Sequence, residues 1–425
     1  MSDGLSPRTT PNGTTVPRTP AGEGRVGADL RGLVDVLATH ADDVDRAARF
    51  PVESLTALRE AGYLGYLVPT EHGGMGGDLA GLVETAQSLA GGCLSTAMIW
   101  AMHCQQVDVL VRHAGDRLRA DLLPRIAAGK VYLASVTTQA VTGGDLLTAA
   151  EPLVDTADRG GTGSAGHDPR GDGGADRPLL LDRSAPVVTG GAHADGFLVT
   201  MRAGEEASSQ AVSLVYADRA DLDIEYTGTW NPLGMRGTHS GALRLYGRIP
   251  RHNVVGEAAR FRDIASDSMV PVGHLGWSAC WLGCARKVFS DLVRHISTER
   301  RQDASSPLVQ ERIARIRWDL ELASGYLGRT TQEVGEARAA GTAPDSAALR
   351  IHLNTLKLAA SELSFSAVDR MVQLAGLSLG YRPNASIPLE RAFRDLRSAA
   401  LNYSNDRLWT ANGALTLMDR NITLL

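Results

Sequence analysis

The sequence predicts an α+β protein in which a strand-rich middle separates two helical ends. Two patterns carry this. Apolar residues recur at three- and four-residue steps before about residue 130 and again after about residue 260. Between them, runs of alternating and β-branched residues are separated by turn residues. At 425 residues the chain is long enough for two or three domains with substantial buried cores.

Residues 1–28 are rich in Pro, Thr and Gly and nearly free of apolar side chains, so they are expected to form a disordered tail. From Asp29 the helical spacing begins with Leu30, Leu33, Val34, Leu37, Val44 and Ala48. Pro51 and Gly62 bracket a second helix over VESLTALREA. The segment LGYLVPTEHGGMGGD leads into the apolar helix LAGLVETAQSLAGG, and further helices are expected at 95–113 and 116–128. Residues 29–130 thus read as an all-α domain.

At Val131 the character changes. VYLASVTTQ, APVVTGG, ADGFLVTMRA, QAVSLVYA and ALRLYGRIP read as strands, placing a β-domain at 131–255. Within it, RGGTGSAGHDPRGDGGADRP reads as a flexible loop, about 158–178. Its GGTGSAG run is no phosphate loop, because no strand feeds it and no amphipathic helix follows. Helices are expected again at 262–300, 307–340, 343–378 and 388–418, which makes 256–425 a helical domain.

Composition excludes several function classes. The net charge of -5 and the 5% aromatic content give no basic, base-stacking surface for nucleic acid. No stretch reaches about 18 apolar residues, so no membrane span is expected. The N-terminus lacks the apolar core of a secretory signal, and a cytoplasmic location follows as the expectation. Cys93, Cys104, Cys280 and Cys284 show no metal-ligand spacing with histidines; Cys280 and Cys284 share one face of an apolar helix and read as core residues.

Five segments then resemble, in order, stretches of the acyl-CoA dehydrogenase superfamily. They are FPVESLTALREAGYLGYLVPTEHGGMGGDL, LLPRIAAGKVYLASVTTQAVTGGDL, PVVTGGAHADGFLVTMR, NPLGMRGTHSGALRLYGRIPRHNVVGE and VQLAGLSLGYRPNASIPLERAFRDLR. The resemblance spans about residues 29–418. It implies an N-terminal helical domain, a central β-barrel or sandwich and a C-terminal four-helix bundle. It also implies FAD as cofactor and a homodimer or homotetramer.

Carried over by position, Ser135, Thr137 and Thr138 would lie along the isoalloxazine ring. Gly143 and Gly144 would let the backbone approach the pyrophosphate, and Thr189 would face N5. Gln373 and Gly376 match the segment that meets the FAD of a neighbouring subunit. Arg394 and Asp395 match an R-D pair that equally suits a salt-bridged helix end.

The chain departs from the family in three places. Counting from Arg394 puts Tyr403 where the family's catalytic Glu stands, followed by Ser404 and Asn405; Asn405 is carried over as a flavin contact. A phenol is a poor base at neutral pH. The family's other base position, on the first core helix of the C-terminal domain, falls at Gly273 or His274. His274 is expected to be a near-neutral base, with Asp406 the nearest carboxylate as an alternative. Second, Val187 replaces the aromatic shield of the flavin. Third, HISTERRQDASSP stands where the family has R-K-T-F-G, leaving Arg300 or Arg301 to reach a phosphate. His103 is either a polar pocket residue or structural.

Three functions remain open. The first is α,β-dehydrogenation of an acyl thioester on CoA or acyl carrier protein, with an electron-transfer flavoprotein as acceptor. The second is a reduced-flavin, oxygen-using monooxygenase or oxidase fed by a flavin reductase. The third is a non-catalytic or redirected flavin-binding homologue.

Overall fold

The computed structural model describes residues 23–139, 145–156, 177–298, 304–342 and 346–425. Among these residues, five helices come first: α1 (Glu23–Ala47), α2 (Val52–Glu60), α3 (Leu79–Gly92), α4 (Leu94–His113) and α5 (Asp116–Ala127). Helix α1 starts inside the stretch expected to be a tail. Once its packed turns around Leu33 and Leu37 are fixed, each further residue adds a hydrogen bond without needing burial. The local signals act as expected: Pro51 precedes α2, Gly62 follows it at φ 79°, and the Asp78 carboxylate caps α3 by accepting from the Gly81 N–H at 2.8 Å. Leu37, Leu58, Leu82, Trp100 and Leu122 are fully buried at the centre of this domain.

Among the described residues, eight strands follow, in two four-stranded sheets. One has the order β1 (Leu133–Val136), β4 (Gly196–Arg202), β5 (Val212–Asp218), β8 (Val254–Val255). The other runs β2 (Val154–Asp155), β3 (Leu179–Ala185), β7 (Leu243–Ile249), β6 (Leu222–Tyr226). Strands β1 and β4 pair in parallel, with Ser135 opposite Leu198; all other strand pairs are antiparallel. Arg183 of β3 joins the sheets. Its fully buried guanidinium donates to the Thr200 carbonyl of β4 at 3.2 Å and to the Thr138 carbonyl beyond β1 at 3.1 Å.

Two strand readings need correction. APVVTGG is not a strand: the ladder ends at Ala185, because Pro186 has no N–H to offer. The chain beyond it hangs on single bonds, Val188 N–H to the Gly241 carbonyl and Gly190 N–H to the Thr238 carbonyl. The strand in this region is instead LLLDRSA, just upstream, where inward Leu179, Leu181, Arg183 and Ala185 alternate with less buried residues. Strand β6, not expected from the sequence, is short and mostly exposed, although its L-D-I-E-Y alternates apolar and polar residues. Of the expected loop at 158–178, all but its last two residues lie outside the described chain.

The C-terminal domain begins with α6 (Phe261–Ile264), which runs through a π-helical turn at Ala265–Met269 into α7 (Val270–Thr298). Then come α8 (Pro307–Ala339), α9 (Ala347–Leu379), α10 (Leu389–Arg397) and α11 (Asn405–Thr416). Helix α9 packs against α7, α8 and α11, and α10 lies across it. The single helix expected at 388–418 is therefore two. Turns at 398–404 separate them, and Tyr403 sits there at φ 51°. The periodicity runs through the break because Leu396 and Ala399 on one side, and Leu408 and Leu415 on the other, are all buried.

Candidate active site

A cavity of about 300 Å³ forms where the three domains meet. One wall is the β-domain, with Ser135, Thr137, Thr138 and Thr189. The opposite wall is α7, with Val270, His274 and Trp277 on one face at helical spacing. Gln105 of α4 and the 401–404 turn close the remaining sides. A second cavity of about 850 Å³ adjoins it, sharing Leu146, Val270, Tyr403 and Arg407. Its lining includes Arg262, Arg350, Asp145 and Asp406.

The hydroxyl wall is held by backbone staples. The Thr138 hydroxyl donates to the Val187 carbonyl at 2.9 Å, and the Tyr132 hydroxyl donates to the Thr189 carbonyl at 3.2 Å. Gly190 is required beside it: its φ is 61°, and a Cβ there would stand 2.4 Å from the Tyr132 hydroxyl. Behind Thr189 runs a chain of hydroxyls. Thr238, buried, lies 2.8 Å from Ser240, which donates to the Thr189 hydroxyl at 3.1 Å. That bond frees the Thr189 proton to point into the cavity. The hydroxyls of Ser135 and Thr137 have no hydrogen bond to the described residues.

His274 is 1% exposed, and its Nδ1–H donates to the Leu353 carbonyl at 3.1 Å. Nε2 is thereby the acceptor nitrogen. Its ring lies 5.7 Å from both Trp277 and Tyr403, centroid to centroid. Burial pushes the imidazole down to about 3, helped by nearby Lys357. The expectation of a near-neutral base is corrected accordingly: desolvation keeps His274 uncharged across the physiological range. Burial moves Tyr403 the other way, raising its phenol, so it remains a proton donor.

The turn that carries Tyr403 is anchored below. Lys357, fully buried on α9, donates to the Asn405 side-chain oxygen at 2.6 Å, and Asn405 donates to Ser361 and Glu362, each at 3.1 Å. Burial lowers Lys357 to about 8. Asn405, expected at the flavin, lines neither cavity. Its amide is spent on this network, which turns it into the protein interior.

The remaining expectations divide. Asp406 is exposed and lines the outer cavity, away from His274 and Trp277. Gln373 is exposed on α9, about 30 Å along the helix from Leu353. Near it Gly376 breaks the helix at φ 69°. Neither reaches the cavity within one chain. Gly143, Gly144, Arg300 and Arg301 lie outside the described residues. Val187 lines the inner cavity and is 42% exposed.

His103 is structural: Nε2–H donates to the Leu64 carbonyl at 2.8 Å and Nδ1 accepts from the Leu133 N–H at 3.0 Å. Arg394 pairs with Asp45 and Glu390, and the buried Asp395 accepts the Met235 N–H at 2.5 Å, so this pair fastens α10 to α1 and the β-domain. All four cysteines are buried and unpaired. Among the described residues, no cluster of three or more His, Cys, Asp or Glu is arranged to hold a metal, and no helix is long and apolar enough to cross a membrane.

Sequence reasoning missed Gln105, Trp277, Ser240 and Lys357. Trp277 shares the His274 face of α7, three residues on, and that spacing was the signal available. The others depend on contacts between distant segments.

Two family models match the chain. The N-terminal domain model of acyl-CoA dehydrogenase covers residues 31–130, and the C-terminal domain model covers 275–406. The short-chain-specific acyl-CoA dehydrogenase of Clostridium acetobutylicum is 23% identical over 84% of this chain and 87% of its own length. Among solved structures, butyryl-CoA dehydrogenase from Megasphaera elsdenii aligns with a TM-score of 0.77 at 17% identity, covering 94% of this chain and 100% of its own. Dibenzothiophene monooxygenase TdsC from Paenibacillus sp. A11-2 aligns with a TM-score of 0.76 at 17% identity, covering 94% and 98%. With both domain models matched in order around a sheet domain of the same fold, the chain belongs to the acyl-CoA dehydrogenase superfamily of oxidoreductases.

Proposed function

We propose that the chain is an FAD-dependent oxidoreductase that removes hydrogen from the α and β carbons of an acyl thioester, carried on CoA or on an acyl carrier protein. The observation that supports this most is the inner cavity itself. A wall of hydroxyls on the β-domain faces an uncharged imidazole and a protonated phenol across a narrow space.

The residues present fit a flavin. Ser135, Thr137 and Thr189 offer hydroxyl protons that no described residue accepts, along one edge of the cavity. A planar heterocycle with acceptors on its rim meets that requirement. Ser135, Thr137, Thr138 and Thr189 would hold the ring. Bound FAD supplies the hydride acceptor.

The chain's own groups divide the rest of the work. The His274 ring lies 5.7 Å from that of Tyr403, and among the described residues His274 is the only imidazole lining the cavity. Its low affinity for a proton requires that the α-proton be acidified, which hydrogen bonds to the thioester carbonyl achieve. The Tyr403 hydroxyl is a donor for that purpose. The outer cavity receives the carrier arm, with Arg262, Arg350 and Arg407 near its phosphates. Gln373 and Gly376, on the far part of α9, suit contact with a second copy of the chain. Electrons leave to an electron-transfer flavoprotein.

A second reading is favoured by one observation: no carboxylate lines the inner cavity among the described residues. That reading is an oxygen-using monooxygenase or oxidase of the same fold; the monooxygenase, supplied by a flavin reductase, needs no α-proton base. The uncharged His274 and the protonated Tyr403 would offer one acceptor and one donor at the wall beside the flavin.

The visible spectrum of the purified protein, followed by acyl thioester addition without oxygen, tests both. Bleaching of the flavin bands supports dehydrogenation. Spectra unchanged by thioester, with rapid oxygen-dependent reoxidation of chemically reduced enzyme, support the second reading. A preparation that takes up no added FAD overturns both.

A further inference from the structure

The cavity wall beside His274 carries donors that the dehydrogenation chemistry does not use. The Trp277 indole N–H is buried, with the residue 8% exposed, and it has no hydrogen-bond partner among the described residues. It belongs to the cavity lining. Across from it stands Gln105 of α4, 5% exposed. One amide hydrogen of Gln105 goes to the Met269 carbonyl at 2.6 Å; the side-chain oxygen accepts from Gln106 at 3.1 Å. The second amide hydrogen is uncommitted.

Gly273 brings these two donors together. A Cβ built there would stand 2.4 Å from the Gln105 amide nitrogen and 3.3 Å from the Trp277 ring carbon next to the indole nitrogen's own carbon. The missing side chain is what lets α4 deliver an amide to the indole edge of α7. A wholly hydrocarbon acyl chain leaves both donors desolvated and unpaired, which costs more than an exposed polar group would.

We infer that this wall, formed by Gln105, Gly273 and Trp277, selects acyl groups bearing an uncharged oxygen acceptor, such as a keto, ether or hydroxyl oxygen, over plain hydrocarbon chains. The inference rests on the acyl-thioester reading above and narrows it to a substrate class. The oxygen is uncharged because Gln105, His274 and Trp277 are all neutral. A site that hydrogen-bonds a substrate oxygen rejects the analogue lacking it far better than an apolar pocket rejects an extra methylene.

The test compares pentanoyl and 4-oxopentanoyl thioesters of one carrier, nearly equal in size, by calorimetric binding to the flavin-loaded enzyme. The 4-oxopentanoyl thioester is expected to bind about tenfold more tightly, the effect of one to two hydrogen bonds to buried donors. Trp277→Phe is expected to reduce that ratio to about two or less. Equal binding of the two thioesters by the unaltered enzyme, or tighter binding of pentanoyl, overturns the inference and leaves the thioester reading standing. A preference that Trp277→Phe leaves intact also overturns it. Binding of neither thioester overturns the thioester reading and the inference with it. The comparison on the unaltered enzyme decides the matter even if the variant does not fold.

Discussion

Ser240 stands directly behind Thr189, its hydroxyl donating to the Thr189 hydroxyl at 3.1 Å, while their two segments are tied together by the Gly190 N–H to the Thr238 carbonyl and the Val188 N–H to the Gly241 carbonyl. The bond fixes the direction of one proton at the cavity wall. Ser240→Ala removes it and lets the Thr189 hydroxyl rotate. FAD affinity is expected to weaken several-fold, in line with the loss of about 1 kcal/mol of one oriented hydrogen bond. The reduction potential of the bound flavin is expected to fall, because a donor to the reduced ring is less well aimed. Fluorescence titration of FAD and a spectroelectrochemical titration measure the two effects; an unchanged potential removes Ser240 from that role.

Tyr403→Phe separates a chemical from a structural use of the phenol. The Tyr403 hydroxyl lines the cavity and has no hydrogen bond to a described residue, so its removal should leave thermal stability within about 0.5 kcal/mol. Turnover is expected to fall about ten- to a hundredfold if the hydroxyl polarises the thioester carbonyl. Steady-state kinetics alongside thermal melts check this, and full activity eliminates the role.

Acid should loosen the fold through buried histidines. Burial lowers His103 to about 4 and His274 to about 3, against an ordinary value near 6.5. Between those values the unfolded chain binds protons that the folded chain refuses, so stability rises with pH over that window and is lost as pH falls from 6.5. Asp395 works in the opposite sense. Burial raises it to about 6, so between about 4 and 6 the folded state holds a proton the unfolded state has released. Two histidines against one aspartate leave net acid destabilisation of a few kcal/mol, measurable as denaturation midpoints from pH 7 to 4. His103→Gln should flatten that dependence.

Arg183→Leu removes the guanidinium that bridges the two sheets. It takes one partner from Glu151, 3.3 Å away, which keeps its bond from Gln139, and leaves the carbonyls of Thr138 and Thr200 without that donor. A loss of about 2–4 kcal/mol is expected from urea unfolding, with weaker FAD retention because Thr138 is on the cavity wall.

The order of helices, strands and helices was legible because period-3.6 and period-2 patterns rest on local burial, and both persist through long elements. The hydroxyls Ser135, Thr137, Thr138 and Thr189 were legible through motif likeness, and they do share one wall. What failed were properties set by distant neighbours. His274 reads as a near-neutral base from its side chain alone, yet burial, helped by nearby Lys357, depresses it in spite of the hydrogen bond to the Leu353 carbonyl. Asn405 follows Tyr403 in sequence, but the positive φ at Tyr403 sends the two side chains to different places, one to the cavity and one to Lys357. The APVVTGG segment looked like a strand because its valines have strand propensity, while the proline that ends the ladder carries the stronger constraint.

The π-helical turn at Ala265–Met269 inserts one extra residue ahead of a long, otherwise regular helix. Each residue turns a helix by about 100°, so that insertion decides which stripe of the following helix looks inward. Excising a single residue there would rotate Val270, His274 and Trp277 together off the cavity and bring another stripe of α7 round to replace them. The chemical lining of this pocket can therefore be exchanged wholesale by an indel that alters none of the lining residues.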